Sequence, residues 1–446
     1  VTECRQTRCR PAKGARLALP AFDVQLRPMG EQENTAASTP PSTGKWRHIG
    51  PGLVVAATGV GAGDLVATLI AGSRFGYALL WAAIVGCVVK IALSEGSARY
   101  HLATGSTILA GWRSLGRWTS WYFGIYVVIW GFIYGATAMS ATALPLVALF
   151  PILPLWAWAV LAGLTGLIFV WFNRYALFET AMKLFVGLMF VIMVGLAALV
   201  VPSLPGLMSG LAFALPEGSL LYTLGLIGGV GGTVTTAAYG YWCQVKGWQG
   251  PRWLPLMRMD NTIAYVVTGI FVIAMLIVGA ELLHASGIAL QSGDRGLLDL
   301  SGVLKDRFGP VIAILFLIGF AATAFSSILG VWHGMSLFFA DWYYQARGGE
   351  LPADPERSPA FRAYLLWLTF PPMLLLFAQQ PFMLAVIYGA FGALFMPFLA
   401  ITLLLLLNSR QVPAECRNGW LANVTLIGSA ALFLILAGQQ IYALMG

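Results

Sequence analysis

Residues 122–173 contain no Asp, Glu, Lys or Arg, and a run of that length decides what the chain can fold into. Crossing ~30 Å of hydrocarbon takes about 20 apolar residues at a helical rise of ~1.5 Å per residue. Apolar stretches of that size recur along most of the sequence. Only 10% of the residues are charged and 59% are hydrophobic, against roughly 25% charged in an ordinary soluble domain. A soluble surface cannot be assembled from that composition. The chain reads as an all-α polytopic membrane protein whose first partner is the lipid bilayer.

Eleven candidate spans follow, at about 50–71, 76–99, 119–147, 153–173, 176–202, 219–243, 260–285, 309–342, 360–378, 381–408 and 419–444. Placing the N-terminus inside gathers most basic residues on the cytoplasmic side. These include Arg99, Arg113, Arg117, Arg174, Lys246, Arg252, Arg258, Arg347, Arg357, Arg362, Arg410 and Arg417. Only Arg74, Arg295, Lys305 and Arg307 fall outside. Such asymmetry is the orientation signal of membrane proteins, and it puts the C-terminus outside. The expected location is a bacterial inner (plasma) membrane. The net charge of +8 therefore belongs to loops on one side, not to a stripe that would bind nucleic acid.

Residues 1–48 are basic, carry several Pro and a Ser/Thr-rich stretch, and lack the apolar core of a signal peptide. They read as a disordered cytoplasmic tail, leaving 49–446 as the transmembrane domain. Met29, opening MGEQENTAAS, is the expected physiological start. Cys4, Cys9, Cys87, Cys243 and Cys416 are scattered, so neither a disulfide framework nor a thiolate metal site is indicated.

Two spans break the apolar pattern. The first reads GPGLVVAATGVGAGDLVATLIAG, with Gly59, Gly61 and Gly63 before Asp64. The sixth reads LGLIGGVGGTVTTAAYGYW, with Gly225, Gly228, Gly229, Gly231 and Gly232 before Thr233, Thr235 and Thr236. Each is too rich in glycine to favour an unbroken helix. They lie five spans apart, at equivalent places in two five-span halves. That arrangement predicts an inverted repeat with its site at the breaks: repeat one at about 50–202, repeat two at about 219–408, and an extra helix at about 419–444. Unwound backbone frees carbonyls and amides that lipid cannot satisfy, so it must line a cavity or bind something. Gly61, Ala62, Gly63, Asp64, Thr233, Thr235 and Thr236 are the candidate substrate-binding residues. The alternative is that the glycines serve only close helix packing, with Asp64 capping a helix half and the threonines bonding back to helix carbonyls.

Further elements, in their order and spacing, carry a family resemblance. They are GPG (Gly50–Gly52), AGSRFGYALLW (Ala71–Trp81), ATG (Ala103–Gly105), MRMDNTIAYVVTGIFVIAMLIVGAELL (Met257–Leu283), SSILGVWHG (Ser326–Gly334) and MPFLAITLLLL (Met396–Leu406). Together they resemble the NRAMP (natural resistance-associated macrophage protein) family of proton-coupled divalent-metal transporters. The resemblance implies a LeuT-type inverted repeat of 5+5 transmembrane helices plus an eleventh helix. It also implies secondary active transport of a divalent cation by alternating access, with proton symport. The family's first-span motif, Asp-Pro-Gly-Asn, falls on Gly61, Ala62, Gly63 and Asp64, and its sixth-span Met-Pro-His on Thr235, Thr236 and Ala237. The soft thioether and the histidine are gone, Thr119–Val147 has none of the family's third-span carboxylates, and two further polar positions fall on Ile273 and Gly389.

What remains is an oxygen-only site with Asp64 and Thr235 as candidate metal ligands. Hard ligands suit Mg²⁺, Ca²⁺ or Mn²⁺, and a single negative charge leaves such an ion several of its waters. The rival passenger is a small organic solute, its carboxylate held by a half-helix N-terminus and Asp64 meeting an amine or coupling cation. A non-transporting sensor is the third reading. Glu95 and His333 are proton or gate candidates. Lys90 and Glu95 lie toward the inner end of the second span, where long side chains snorkel, and Glu179 with Lys183 forms an i,i+4 pair. Tyr239, Tyr241 and Trp242 read as interfacial anchors. An enzyme is not expected. No Ser–Lys or paired-carboxylate constellation lies within the spans, and His48, His101, His284 and His333 are not spaced as a zinc pair. Apart from a transported cation, no cofactor is implied.

Overall fold

The computed structural model describes residues 52, 61–172, 175–200, 203–229, 231–285, 295–352, 354–377 and 381–445. The expected N-terminal tail and Met29 lie outside them, as do the side chains of Ala62, Gly63, Asp64, Glu179 and Lys183. All described residues belong to one compact unit, Ser38–Gly446. Its elements are helical: α1 (Ala62–Phe75), α2 (Leu80–Thr104), α3 (Ile108–Leu115), α4 (Arg117–Leu149), α5 (Leu155–Phe172), α6 (Tyr175–Leu199), α7 (Leu204–Gly210), α8 (Leu220–Gly229), α9 (Tyr239–Val245), α10 (Leu254–Val278), α11 (Arg295–Phe308), α12 (Pro310–Ala346), α13 (Pro359–Thr369), α14 (Met373–Leu376), α15 (Pro381–Leu407) and α16 (Trp420–Met445).

Eight helices among the described residues are long and apolar enough to cross a bilayer. Two shorter apolar helices, Leu65–Phe75 and Leu220–Thr236, lie in the first and sixth spans. These are the two spans whose glycine content predicts interruption. With α6, they account for the eleven expected spans. The ninth is divided: Pro371 and Pro372 separate α13 from α14, because proline supplies no amide for the helical ladder.

α4 and α12 form the central pair, and α15 packs on both α4 and α8. α1 lies against α10 and against the π-helical turn Gly279–His284 that continues it. Glycine permits that contact. A Cβ on Gly72 would stand 2.4 Å from the Leu276 carbonyl oxygen, and one on Gly279 would stand 2.7 Å from that of Leu69. Side chains at either position would force the helices apart, so close packing is the role of these two glycines.

Candidate functional site

The sixth span is broken. α8 stops at Gly229, and the chain passes through Gly231 (φ +69°) and Gly232 (φ +90°), a left-handed path that L side chains resist. A single 3₁₀ turn, Val234–Thr236, follows before α9 resumes at Tyr239. In the first span α1 begins only at Ala62, behind an extended Gly61 (φ −136°, ψ −157°). Asp64 therefore stands in the first turn of a helix that starts partway along its span.

Interrupting α8 frees carbonyls, and a lysine meets them. Lys90 on α2 is fully buried, and its Nζ donates to the Gly228 carbonyl at 2.8 Å and to the Gly232 carbonyl. This overturns the snorkelling expectation: the ammonium turns inward to the break instead of outward to headgroups. The reason is energetic. Two carbonyls left dry would each lack a donor, and a buried cation requires acceptors. Each deficit answers the other.

Aromatic rings also meet the break. Trp130 on α4 donates its Nε1–H to Thr233 Oγ1 at 2.8 Å, and the Tyr388 hydroxyl of α15 lies 3.4 Å from the same oxygen. Trp130 stacks on Tyr134, centroids 4.8 Å apart. Tyr134 in turn donates to the Ser327 carbonyl on α12 at 3.3 Å and also meets the Ser327 hydroxyl. Ser327 presses on Gly61, where a Cβ would fall 1.9 Å from Ser327 Oγ. A continuous chain of contacts thus links the start of α1 to the break in the sixth span. Gly389 lets α15 touch Gly225, with 2.8 Å from a would-be Cβ to the Gly225 Cα.

The three threonines of the break differ. Thr233 is held by Trp130, and Thr236 bonds back to the Gly232 carbonyl at 3.3 Å. Thr235 is 2% exposed, and its Oγ1 has no hydrogen-bond partner among the described residues. Thr68, one turn beyond Asp64 on α1, also has a buried, unpartnered hydroxyl. So does Thr268 on α10, whose methyl would lie 3.4 Å from a Cβ on Gly231. A buried hydroxyl without a partner is uncommon, and Thr235 carries one on the unwound segment itself. Among the described residues, no three His, Cys, Asp or Glu side chains gather into a metal cluster.

The remaining candidates sit in other networks. Glu95 accepts from Arg99 Nε at 3.1 Å and from Arg258 Nε at 2.9 Å, tying α2 to α10. Arg99 also reaches the Cys416 carbonyl and Asn418. His333 on α12 lies 2.9 Å from Glu356 Oε1, in the loop before α13. That hydrogen bond holds the Glu356 carboxyl below its ordinary range, against the upward push of partial burial. The three aromatic residues of α9 are not interfacial anchors. Tyr239 is fully buried and donates to Asp260 Oδ2 at 2.6 Å, Tyr241 bonds Asp341, and Trp242 is 4% exposed. Asp260 also accepts the Gly52 amide at 2.5 Å, joining Gly52 to α9 and α10.

Sequence reasoning missed Lys90's inward role, Asp260, and the ring set Trp130, Tyr134 and Tyr388. An aromatic residue in an apolar span carries no sign that its polar edge faces a break. Lys90 did carry a signal: a lysine within an apolar span needs acceptors, which a broken neighbouring span can supply.

A bundle of apolar helices of bilayer length, with its sixth span broken at a glycine-rich turn, defines a membrane protein of the LeuT-type transporter fold. The chain belongs to the natural resistance-associated macrophage protein-like family, which it matches over residues 52–443. The divalent metal cation transporter MntH of Deinococcus radiodurans is 24% identical over 422 residues, 89% of this chain and 90% of that protein. Metal transporter Nramp6.2 of Populus trichocarpa is 28% identical over 176 residues, 37% of this chain and about a third (32%) of that protein's length. Among solved structures, the Eremococcus coleocola manganese transporter, bound to an aromatic bis-isothiourea compound, superposes with a TM-score of 0.73. Its identity is 17%, over 93% of this chain and 92% of that one. MhsT in complex with L-phenylalanine shares the fold more distantly, with a TM-score of 0.55 and 17% identity over 85% of this chain and 98% of that one.

Proposed function

We propose that this protein is a secondary active transporter that carries a hard divalent metal cation, Mg²⁺ or Mn²⁺, through the break in its sixth span. The carrying observation is Thr235: a buried oxygen, left without a partner, on the unwound segment where the family places its metal motif. Membership in the family and the printed activities of its relatives support the same passenger. With Asp64 supplying the carboxylate and Thr235 a neutral oxygen, the ion keeps several waters, as Mg²⁺ prefers. Repeat one and repeat two rock about the fixed site, and protons couple the cycle. Glu95, which bridges α2 and α10 through Arg258, serves as a proton or gate residue. The tail is cytoplasmic, the C-terminus lies outside, and the membrane is a bacterial plasma membrane.

A second reading rests on Lys90. Two unit charges 4 Å apart repel by about 4 kcal/mol at an effective dielectric of 20, and a divalent ion doubles that. The ammonium therefore keeps a metal at a distance or requires Asp64 as compensation. A small organic acid faces no such penalty, and the rings of Trp130, Tyr134 and Tyr388 offer it apolar surface. A proteoliposome screen of Mg²⁺ and Mn²⁺ against organic acids and amino acids, with internal pH recorded, separates the two. Metal uptake with acidification supports the first reading; flux of an organic solute with every metal silent replaces it.

A further inference from the structure

We infer that a basic cavity at the end of the α4–α12 pair binds the phosphate headgroup of an anionic phospholipid. The cavity, about 470 Å³, lies where α3, the start of α4 and the end of α12 converge. Its wall carries Arg113, Arg117 and Arg347, with Trp121, Trp342 and Tyr343 between them. None of the three arginines forms an ion pair with a carboxylate among the described residues. Arg113 is positioned by a bond to the Gln345 carbonyl, and Arg347 lies over the Tyr343 ring at 4.4 Å. Three guanidinium groups facing one space repel each other unless an anion joins them. Guanidinium forks match phosphate oxygens in pairs.

The same helix says which phosphate. Below the cavity, α4 presents Trp121, Ile125 and Ile129, which are 63%, 60% and 44% exposed. At spacings of four they form one stripe descending from the basic end. A charged socket above an apolar rail fits a molecule with a phosphate at one end and an acyl chain at the other. A free phosphate would use only the socket. The charge asymmetry of the loops places this end at the cytoplasmic leaflet, where anionic lipids attract juxtamembrane Arg and Lys. Because α4 carries Trp130 and Tyr134 and α12 carries Ser327, a lipid clamping the two helix ends braces the site wall from outside.

The test is a binding measurement independent of transport. Purified full-length protein in neutral detergent is titrated with phosphatidylglycerol, phosphatidylcholine, or inorganic phosphate. Bound lipid is counted by native mass spectrometry and melting is followed in parallel. Phosphatidylglycerol is expected to stay bound and to raise the melting temperature by several degrees, with phosphatidylcholine and phosphate much weaker. The R117Q/R347Q double variant, altered only at exposed side chains, should lose that binding at least tenfold, while R307Q, on the opposite side, keeps it. Equal retention of the two lipids, an unchanged R117Q/R347Q variant, or phosphate acting as strongly as the lipid would each overturn the assignment. The binding result stands apart from the passenger's identity, so failure here leaves the transport reading untouched.

Discussion

Lys90 Nζ lies 2.8 Å from the Gly228 carbonyl oxygen, so the second span supplies the hydrogen bonds that the sixth gives up. The ammonium has three donors, and the carbonyls of Gly228 and Gly232 take two of them. A cation built into the chain holds open a break that lipid would otherwise close or reject.

Lys90→Met removes the charge and leaves both carbonyls without that donor. Hydrogen bonds to charged groups contribute about 1.5–3 kcal/mol each, so a loss of at least about 2 kcal/mol is expected despite relief of the buried charge. Thermal unfolding in detergent reads this as a drop of several degrees. A variant that melts at or above the parent temperature would mean that the ammonium does not support the break.

Thr235→Val preserves shape and deletes an oxygen that makes no hydrogen bond in this fold. Melting should therefore stay level or rise slightly, because an unsatisfied buried hydroxyl is lost. Binding of Mn²⁺, followed by isothermal titration calorimetry, should weaken at least tenfold. Unchanged affinity would take Thr235 out of the site. Thr236→Val serves as the control, since that hydroxyl only bonds back to its own turn.

Gly231→Ala faces two obstacles. Its φ of +69° disfavours a side chain, and the new Cβ would stand 2.6 Å from Tyr265 Cε1. The backbone conformation alone costs about 1–2 kcal/mol, and displacing the ring adds to it. Poor yield and early melting are expected, whereas Gly302→Ala on α11, with open space around its Cβ, should behave like the parent protein. Equal behaviour of the two variants would contradict the broken path.

Glu356→Gln should destabilise the protein only at pH values where the carboxylate exists. The His333 bond lowers the folded-state value of Glu356. Its contribution is thus present above the unfolded carboxylate value of about 4.3 and is lost as pH falls through the lower folded one. Melting curves should separate from the parent at pH 7 and converge on acidification below about pH 4. A gap that persists or widens in acid would assign the pair a different role.

The fold was largely legible because its signals are collective. Charge-free runs of bilayer length and two glycine-rich spans five apart together point to eleven spans and to the interruption of the sixth. The lining was less legible because it depends on single side chains meeting across spans. Nothing around Lys90 in the sequence says that Gly228 faces it, and snorkelling judges only its distance from the helix end. Tyr239 lies near the end of its span, which suggests an anchor, until the fold brings Asp260 against it. Trp130 and Tyr134 read as apolar bulk on α4, yet their polar edges bond Thr233 and Ser327.

Manganese entry into proteoliposomes holding either the parent protein or Asp64→Ala tests the passage most directly, with melting confirming that both are folded. Saturable uptake by the parent and its loss in the variant are expected if, as proposed, Asp64 supplies the carboxylate for the ion. Undiminished manganese flux through folded Asp64→Ala protein would contradict a cation route past the start of α1 and the break in the sixth span.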